Sequence, residues 1–366
     1  MLADAFRGKT VWLSGQTGFK GGWLAQWLIE LGARVRGYSL PPPTRPALFD
    51  QLGLARRLNH QVADVRDAAV VRESLLAAQP DFVFHLAAQS LVLASYEQPM
   101  ETYASNVMGT ISVLEGLRLL QKPCAAVFIT TDKCYENREW VYAYREEDPL
   151  GGYDPYSSSK AAAEVAIAAW RRSFFRDHPV KIASARAGNV IGGGDWAAAR
   201  IVPDCIRALQ QNQPIPVRNK VATRPWQHVL EPLSGYLWLA ACLARELRPA
   251  GLALDSAFNF GPSHEANRTV AELVVEVLKH WPGSWEDKSD PKAVHEARLL
   301  QIATDKAHAM LGWAPVWNFP AAVEQTVTWY RQAEQATPSA IGELTTAQID
   351  RYTAEARTLS LPWAAS

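Results

Sequence analysis

The sequence predicts an α/β fold in which a doubly wound parallel sheet forms the main domain. Short apolar runs alternate with stretches of helical periodicity, which is the pattern of repeated strand–helix units. The first apolar run is followed by a glycine-rich turn, and the alternation continues until about residue 188 before it loosens. We therefore expect residues 1–188 to form this domain, with segments from later in the chain returning to it.

The first strand–helix–strand unit lies at the N-terminus. Residues 10–14 form a short apolar run, residues 21–31 have helical periodicity, and residues 34–38 are apolar enough for a second strand. Further helices and strands are predicted at 68–78, 82–86, 102–120, 125–130, 156–175 and 181–185. Strands connected through helices pair in parallel, because each crossover returns the chain to the same end of the sheet.

The alternation ends at three consecutive glycines from Gly192, after which prolines become frequent. We expect residues 189–335 to form mainly a smaller C-terminal substrate-binding lobe. Within it, residues 304–311 and 320–334 have helical periodicity. Residues 336–366 are expected to be a weakly structured tail.

The composition limits the classes of function. Basic and acidic residues are equal in number, 37 of each, so no net field attracts nucleic acid or an anionic membrane surface. The four cysteines show no C-x-x-C spacing, which favours free thiols and a reducing compartment. No segment stays apolar for the roughly 20 residues of a membrane span, and the N-terminus lacks the apolar run of a signal peptide. We therefore expect a cytoplasmic protein that binds neither nucleic acid nor membranes.

The glycine-rich turn predicts a dinucleotide site and makes the main domain Rossmann-like. Gly15, Gly18 and Gly21 lie between the first strand and the first helix. Glycine at such a turn lets the backbone approach a pyrophosphate, and the helix N-terminus offers free amide donors.

The second strand leaves the choice between NAD and NADP open. The acidic residue that would bind the adenosine ribose of NAD, about 20 residues beyond the turn, is missing. Only Ser39 or the backbone can then meet the 2′-hydroxyl, whereas Arg36 or Arg45 could favour a 2′-phosphate. We favour NAD.

A second motif supplies acid–base chemistry. The spacing of Tyr156 and Lys160 puts both side chains on one helical face, so the ammonium can lower the pKa of the phenol and hold the nicotinamide ribose. Thr131, at a strand end, would share the hydrogen bond to the substrate hydroxyl. Asp132 and Lys133 add acid and base groups that a simple dehydrogenase does not need. These residues predict a hydride-transfer enzyme that also eliminates water.

The chain resembles, nearly from end to end, the extended short-chain dehydrogenase/reductases, and within them the nucleotide-sugar 4,6-dehydratases. The motifs that carry the resemblance are GQTGFKGGW at 15–23, HLAAQ at 85–89, TTDKCYEN at 130–137, GGYDPYSSSK at 151–160, RAGNVIGGGDW at 186–196 and RPWQHVLEPLSGY at 224–236. The Asp-Lys pair at 132–133 is typical of the branch that acts on CDP-glucose, whereas the dTDP-glucose branch has Asp-Glu.

The resemblance implies a three-step reaction on one bound sugar. Tyr156 would take the proton of the C4 hydroxyl while hydride passes to NAD, water would leave across C5 and C6, and hydride would return to C6. Asp132 would donate to the leaving hydroxyl, and Lys133 would either remove the C5 proton or stabilise the enolate. Contacts with the cofactor are expected from Gly15, Thr17, Gly18, Phe19, Lys20, Gly21, Ser39, Asp64, Val65, Ala87, Ala88, Gln89, Asn106, Thr130, Tyr156 and Lys160.

A nucleotide-sugar diphosphate needs placed cations in a chain of zero net charge. Arg224 is the best candidate because Pro225 stiffens the backbone beside it, and Arg200 is expected to assist. The resemblance implies further substrate contacts from Gln89, Asn189, His228, Asn259 and His295. The two histidines are expected to serve the nucleotide-base pocket or the fold, since no His, Cys or Asp pair has the spacing of a metal site. Helices 102–120 and 156–175 resemble the pair through which relatives form homodimers.

Two positions depart from the pattern of the CDP-glucose branch. Leu93 stands where those enzymes have an arginine near the sugar, and Ala303 stands where they have an aspartate. A different nucleotide-hexose is therefore an alternative to CDP-glucose. An NAD-dependent epimerase would need Tyr156 and Lys160 but not Asp132 as an acid, and a non-catalytic binding protein could keep the same fold.

Overall fold

The computed structural model describes residues 2–244, 254–289 and 299–365. The strands in these residues are β1 (Thr10–Ser14), β2 (Arg34–Ser39), β3 (Asn59–Val62), β4 (Phe82–His85), β5 (Cys124–Ile129), β6 (Val180–Ala187), β7 (Val190–Ile191), β8 (Ile215–Val217), β9 (Thr223–Pro225), β10 (Gln227–His228), β11 (Ala257–Phe260), β12 (Asn267–Thr269) and β13 (Trp285–Asp287). Seven of them form a parallel sheet in the order β3-β2-β1-β4-β5-β6-β11. The doubly wound α/β fold is thereby confirmed, and the crevice where the strand order reverses lies between β1 and β4.

The helices pack on both faces of this sheet. They are α1 (Leu2–Phe6), α2 (Phe19–Glu30), α3 (Leu48–Gln51), α4 (Ala68–Ala78), α5 (Val92–Glu97), α6 (Pro99–Tyr103), α7 (Gly109–Leu117), α8 (Pro155–Phe174), α9 (Ile201–Gln210), α10 (Leu230–Ala244), α11 (Val270–His280), α12 (Asp305–Leu311), α13 (Phe319–Ala333) and α14 (Pro338–Thr358). A π-helical turn, Ala104–Met108, joins α6 to α7, so the helix predicted over 102–120 is continuous but locally widened.

Successive side chains of a strand point to opposite faces of the sheet, so the hydrophobic core has one part on each face. In β1, Val11 and Leu13 belong to the hydrophobic cluster under α2 and α10, whereas Trp12 belongs to the cluster under α4, α7 and α8. All residues of β4 and β5 are buried, as expected of a parallel sheet covered by helices on both faces. The sheet is therefore rigid, and the loops at its carboxyl edge are where a functional site can form.

The C-terminal segment corrects one prediction. Residues 336–366 were expected to be weakly structured, but they contain the 21-residue helix α14. Its buried face includes Ile341, Ile349 and Tyr352, and the Tyr352 ring stacks on Trp363 with 5.5 Å between centroids. The helix forms because this apolar stripe finds a partner surface on α2 and α13, which the local sequence does not reveal.

Candidate active site

The glycine-rich turn fits tightly between β1, α2 and the loop after β4. A Cβ on Gly21 would lie 2.1 Å from the carbonyl oxygen of Gly15, and one on Gly15 would lie 2.7 Å from the amide nitrogen of Ala87. Gly15 also has φ +79°, a left-handed conformation that favours glycine. Because these two residues have no side chain, the backbone of the turn can lie close to the start of α2 and to the loop after β4.

The start of α2 is suited to an anion. Gly18 is its N-cap residue and provides no side-chain cap, so the first amide groups of this 12-residue helix point outward from the turn. A Cβ on Gly18 would meet only the carbonyl oxygen of Gly15, at 3.4 Å, which leaves room above the turn. Thr17 lies beside the end of β2, with 2.5 Å between its Oγ1 and the Oγ of Ser39. The residues present thus fit a dinucleotide.

The end of β2 bears on the choice of dinucleotide. Ser39 is its last residue and is buried, whereas Arg36 lies in the middle of the strand with its side chain exposed. Arg45 is also exposed, beyond the strand. Neither arginine stands at the carboxyl end of β2, where a 2′-phosphate would be recognised.

Two further predicted cofactor residues follow β3. Asp64 accepts hydrogen bonds from the Arg66 guanidinium at 2.9 and 2.6 Å, and these bonds lower the pKa of the carboxyl. Val65 is buried and packs against Gly109, where a Cβ would lie 2.8 Å from the valine side chain. Both residues lie at the same carboxyl edge of the sheet as the turn.

Gln89 lies in the loop after β4. Its side-chain amide donates to Thr102 Oγ1 at 2.9 Å and to the carbonyl oxygen of Leu91 at 3.1 Å, and its Oε1 accepts from the Leu91 amide. The side chain therefore holds its own loop, and its contact with a sugar stays a prediction. Asn106, in the π-helical turn, bonds the backbone of Gln89 through both its Oδ1 and its Nδ2. Ala87, whose amide donates to Ser14 Oγ at 3.2 Å, and Ala88 precede Gln89 in this loop.

The turn that is predicted to be catalytic follows β5. Thr131 caps a short 3₁₀ turn, Asp132–Cys134, by accepting from the Lys133 amide, and its hydroxyl donates to Asp132 Oδ1 at 3.0 Å. Asp132 is 1% exposed, and no donor in the described part of the chain reaches its Oδ2. Lys133 Nζ donates to Asn189 Oδ1 at 3.0 Å and lies 3.4 Å from Asp132 Oδ1. A buried carboxylate oxygen without a protein partner needs an explanation, and a ligand at this turn would supply one.

The Tyr156 and Lys160 side chains lie beneath this turn, on α8. Burial raises the pKa of Tyr156 to about 12, against the predicted lowering by Lys160, and the groups that oppose burial are the Thr131 hydroxyl and the Arg200 guanidinium. Lys160 Nζ instead donates to the carbonyl oxygen of Ile129 at 3.2 Å. Burial lowers the pKa of Lys160 to about 8.

Lys20 brings a further cation to the same place. Its Nζ lies 3.5 Å from the Tyr236 hydroxyl on α10. Burial lowers the pKa of Lys20 to about 7, and Arg200, Lys160 and Lys133 act in the same direction while Asp132 opposes them. Lys20, Lys133, Lys160 and Arg200 thus bring positive charge to one place, which suits an anionic ligand.

Neighbouring residues help to fix the positions of Arg200 and Arg224, the two arginines predicted to bind the substrate. Arg200 forms an ion pair with Asp195, with 3.0 Å between NH1 and Oδ2, and its NH2 donates to Ser90 Oγ at 3.4 Å. It therefore bridges the loop after β4 and the loop between β7 and α9. Arg224, on β9, is 8% exposed and donates to the carbonyl oxygen of Thr223.

Two predicted substrate residues make their contacts within the fold. Asn259 has no exposed surface; its Oδ1 accepts from the Tyr135 hydroxyl and its Nδ2 donates to two carbonyl oxygens. His228 also has no exposed surface, packs edge-on against Trp23 and Trp317, and has its pKa lowered to about 3 by burial. A substrate contact by either residue stays a prediction. His295 lies outside the described residues.

No group of three or more His, Cys, Asp or Glu side chains in residues 2–244, 254–289 and 299–365 could hold a metal ion. No helix in the same residues is long and apolar enough to cross a membrane.

The chain is similar in sequence to nucleotide-sugar dehydratases. The family model described as GDP-mannose 4,6 dehydratase matches residues 13–326. A CDP-glucose 4,6-dehydratase of Salmonella typhimurium is 46% identical over 335 residues, which cover 89% of this chain and 91% of that protein. A probable dTDP-glucose 4,6-dehydratase of Sinorhizobium fredii is 27% identical over 342 residues, which cover 87% of this chain and 91% of that protein.

Solved structures show the same fold. A dTDP-glucose 4,6-dehydratase from Streptomyces venezuelae, crystallised with NAD bound, superposes with a TM-score of 0.75 at 22% identity. The match covers 88% of this chain and 97% of that one.

Proposed function

The chain belongs to the GDP-mannose 4,6-dehydratase family, and we propose that within it the protein converts CDP-glucose to CDP-4-keto-6-deoxyglucose with bound NAD. The observation that carries the proposal is the turn of Thr131, Asp132 and Lys133 beside Tyr156. An oxidoreductase needs Tyr156 and Thr131, but the buried Asp132 and the tethered Lys133 supply the extra proton chemistry of dehydration. The 46% identity to a CDP-glucose enzyme supports the choice of substrate.

The cofactor would be held by the glycine-rich turn and the catalytic helix. The open amides after Gly18 would bind its pyrophosphate, Ser39 its adenosine ribose, and Tyr156 with Lys160 its nicotinamide ribose. Bound NAD supplies a hydride acceptor for sugar C4 and a hydride donor for C6. The absence of an arginine at the end of β2 supports NAD over NADP.

Tyr156 accepts the proton of the C4 hydroxyl. Its phenol must lose a proton first, and burial disfavours the phenolate. The Thr131 hydroxyl and the positive charge of Arg200 favour it, so these two groups prepare the base. Arg200 in turn keeps its place through Asp195.

Asp132 and Lys133 carry out the elimination. Asp132 Oδ2, which no donor in the described part of the chain occupies, takes the C5 proton and passes it to the C6 hydroxyl, which leaves as water, so the proton count balances. Lys133 donates to Asn189 and Asp132, two acceptors that stabilise an ammonium. We therefore assign Lys133 the role of stabilising the enolate that forms when C5 loses its proton.

The diphosphate of the substrate is bound by Arg224 and Arg200. Arg224 lies on β9, where pairing with β12 limits its movement. Leu93, 38% exposed at the start of α5, replaces an arginine of related enzymes. Arg200 and Arg224 therefore neutralise more of the substrate's negative charge in this protein.

We also infer that the protein forms a homodimer in the cytoplasm. Apolar side chains are exposed on the helices that resemble a dimer interface, with Met108 54% and Val165 57% exposed. The four cysteines are free and buried, which supports a reducing compartment. Sedimentation equilibrium of the purified protein tests the assembly, and a monomer at micromolar concentration would contradict it.

Mass spectrometry of the products tests the function. The protein is incubated with NAD and, separately, with CDP-glucose, dTDP-glucose, UDP-glucose and GDP-mannose. Loss of one water from CDP-glucose alone is the expected result. A product of unchanged mass but altered sugar configuration would establish an epimerase, and cofactor binding without any turnover would indicate a non-catalytic protein.

A further inference from the structure

A buried ion pair lies behind the catalytic residues, one helical turn beyond Lys160. Glu164 Oε2 and Arg186 NH2 are 2.9 Å apart, and the two side chains are 2% and 4% exposed. Arg186 holds the pKa of the Glu164 carboxyl below its usual value although burial acts against it. The reaction described above makes no use of either group.

The pair holds both ends of the catalytic turn. Thr130, the residue before the turn, donates from Oγ1 to Glu164 Oε1 at 2.5 Å. Tyr135, the residue after it, accepts from Arg186 NH1 at 2.9 Å. Ser184 Oγ also donates to Glu164, at 2.9 Å. Thr131, Asp132 and Lys133 therefore lie in a segment that is anchored to one ion pair at each end.

The same carboxylate is a charge partner of Lys160. Lys160 Nζ and the Glu164 carboxylate hold adjacent residues at the end of β5, the Ile129 carbonyl and the Thr130 hydroxyl. The other titratable groups around Lys160 are Cys134 in the turn, Lys20 on α2 and His85 on β4. Burial lowers the pKa of Lys160, and Glu164 is the principal group that opposes this effect.

Stability alone does not require such a pair. Apolar side chains of similar volume often replace a buried ion pair without loss of stability. We propose that Glu164 and Arg186 are positioning residues, which hold the Thr131-Asp132-Lys133 turn against Tyr156 and keep an ammonium at Lys160. This inference rests on the proposed dehydratase function for its kinetic test.

Glu164→Gln is the first variant. The amide oxygen can still accept from Thr130, but the negative charge is lost. We expect kcat on CDP-glucose to fall at least about tenfold with little change in KM, because the substrate contacts are untouched. The alkaline limit of the kcat profile should move to lower pH, because Lys160 loses its proton more easily without the carboxylate. Glu276→Gln, at a 9%-exposed carboxylate paired with Lys279 on α11, is the matched control and should change neither property.

A double variant separates positioning from folding. Glu164→Gln leaves the Arg186 charge without its partner and is expected to lower stability, so Glu164→Gln/Arg186→Gln restores the charge balance of the core. We expect the double variant to unfold at a higher denaturant concentration than the single one while kcat stays low and the profile stays shifted. Recovery of wild-type kcat and pH profile in the double variant would overturn the proposal, because the pair would then be only structural.

A measurement without substrate keeps this test independent of the reaction. The ¹³Cε chemical shift of Lys160 in lysine-labelled protein, assigned with Lys160→Arg, reports its pKa directly. The value should be lower in Glu164→Gln than in the wild type, and an unchanged value would refute the charge role whatever the activity. The wild type could dehydrate no nucleotide sugar while the Lys160 pKa still falls in Glu164→Gln. The proposed function would then be wrong, but the effect of the Glu164 charge on Lys160 would be established.

Discussion

Replacing Tyr352 by phenylalanine tests how helix α14 is held on the main domain. The Tyr352 hydroxyl donates to Glu231 Oε2 at 2.7 Å, and both residues have no exposed surface. Glu231 also accepts from the amides of Val316 and Trp317, at 3.0 and 2.7 Å. Burial nevertheless raises the pKa of Glu231 from 4.5 to about 7.

The sign of the pH dependence follows from this pKa. Glu231 binds its proton more tightly in the folded chain than in the unfolded chain, so stability falls as pH rises from about 4.5 to about 7. The difference corresponds to roughly 3 kcal/mol at neutral pH. The Tyr352 hydroxyl limits that cost, because a hydrogen bond to a charged acceptor contributes about 1.5–3 kcal/mol and one to a neutral acceptor about 1 kcal/mol. Tyr352→Phe should therefore lower the free energy of unfolding by about 2 kcal/mol at pH 8 and about 1 kcal/mol at pH 5.

Urea denaturation followed by tryptophan fluorescence at the two pH values measures the effect. Tyr330→Phe is the control, because Tyr330 is equally buried but donates to the uncharged carbonyl oxygen of Asp195. Its loss of stability should be the same at both pH values. An equal loss for Tyr352→Phe at pH 5 and pH 8 would refute the reasoning, since Glu231 would then not be the acceptor that titrates.

Three further predictions concern the cofactor and the elimination. Gly21→Ala should weaken NAD binding at least about tenfold by calorimetry, because its Cβ would lie 2.1 Å from the Gly15 carbonyl oxygen; Gly342→Ala, with no atom within 4 Å, is the neutral control. NAD affinity should fall as pH rises through about 7, where Lys20 loses its proton, and a Lys20→Met variant that keeps this dependence would exclude Lys20 as its source. Lys133→Arg should retain solvent-deuterium incorporation at C5, whereas Lys133→Met should lose it. Loss in both variants would make Lys133 the base. Normal incorporation in Lys133→Met would show that Lys133 has no role at C5.

The parts of the site predicted from sequence are those set by local geometry. Gly21 is required by its close approach to Gly15 within one turn, Gly15 by its left-handed φ of +79°, and Tyr156 and Lys160 share a face because of helical spacing. The Asp132–Lys133 pair follows β5 directly, so its place at the carboxyl edge of the sheet was predictable. The Glu164 ion pair was missed, although a glutamate four residues after Lys160 on a predicted helix was a visible signal.

The side chains whose partners could not be read from the sequence are polar ones that meet distant segments. Asn259 bonds Tyr135, 124 residues away, and Gln89 bonds Thr102 across a loop. An amide side chain looks the same in sequence whether it binds a ligand or a neighbouring loop. The expected lowering of the Tyr156 pKa was wrong, because burial outweighs a nearby cation.

The sequence by itself determined the strand–helix alternation, the glycine turn and the order of the reacting groups, because each depends on residues within one or two turns of each other. The tertiary structure decided which charges meet. Lys20 reaches Tyr236 across 216 positions, and Glu231 meets Tyr352 across 121. Burial and hydrogen-bond pairing set the pKa of such groups, and both arise only when distant segments pack together.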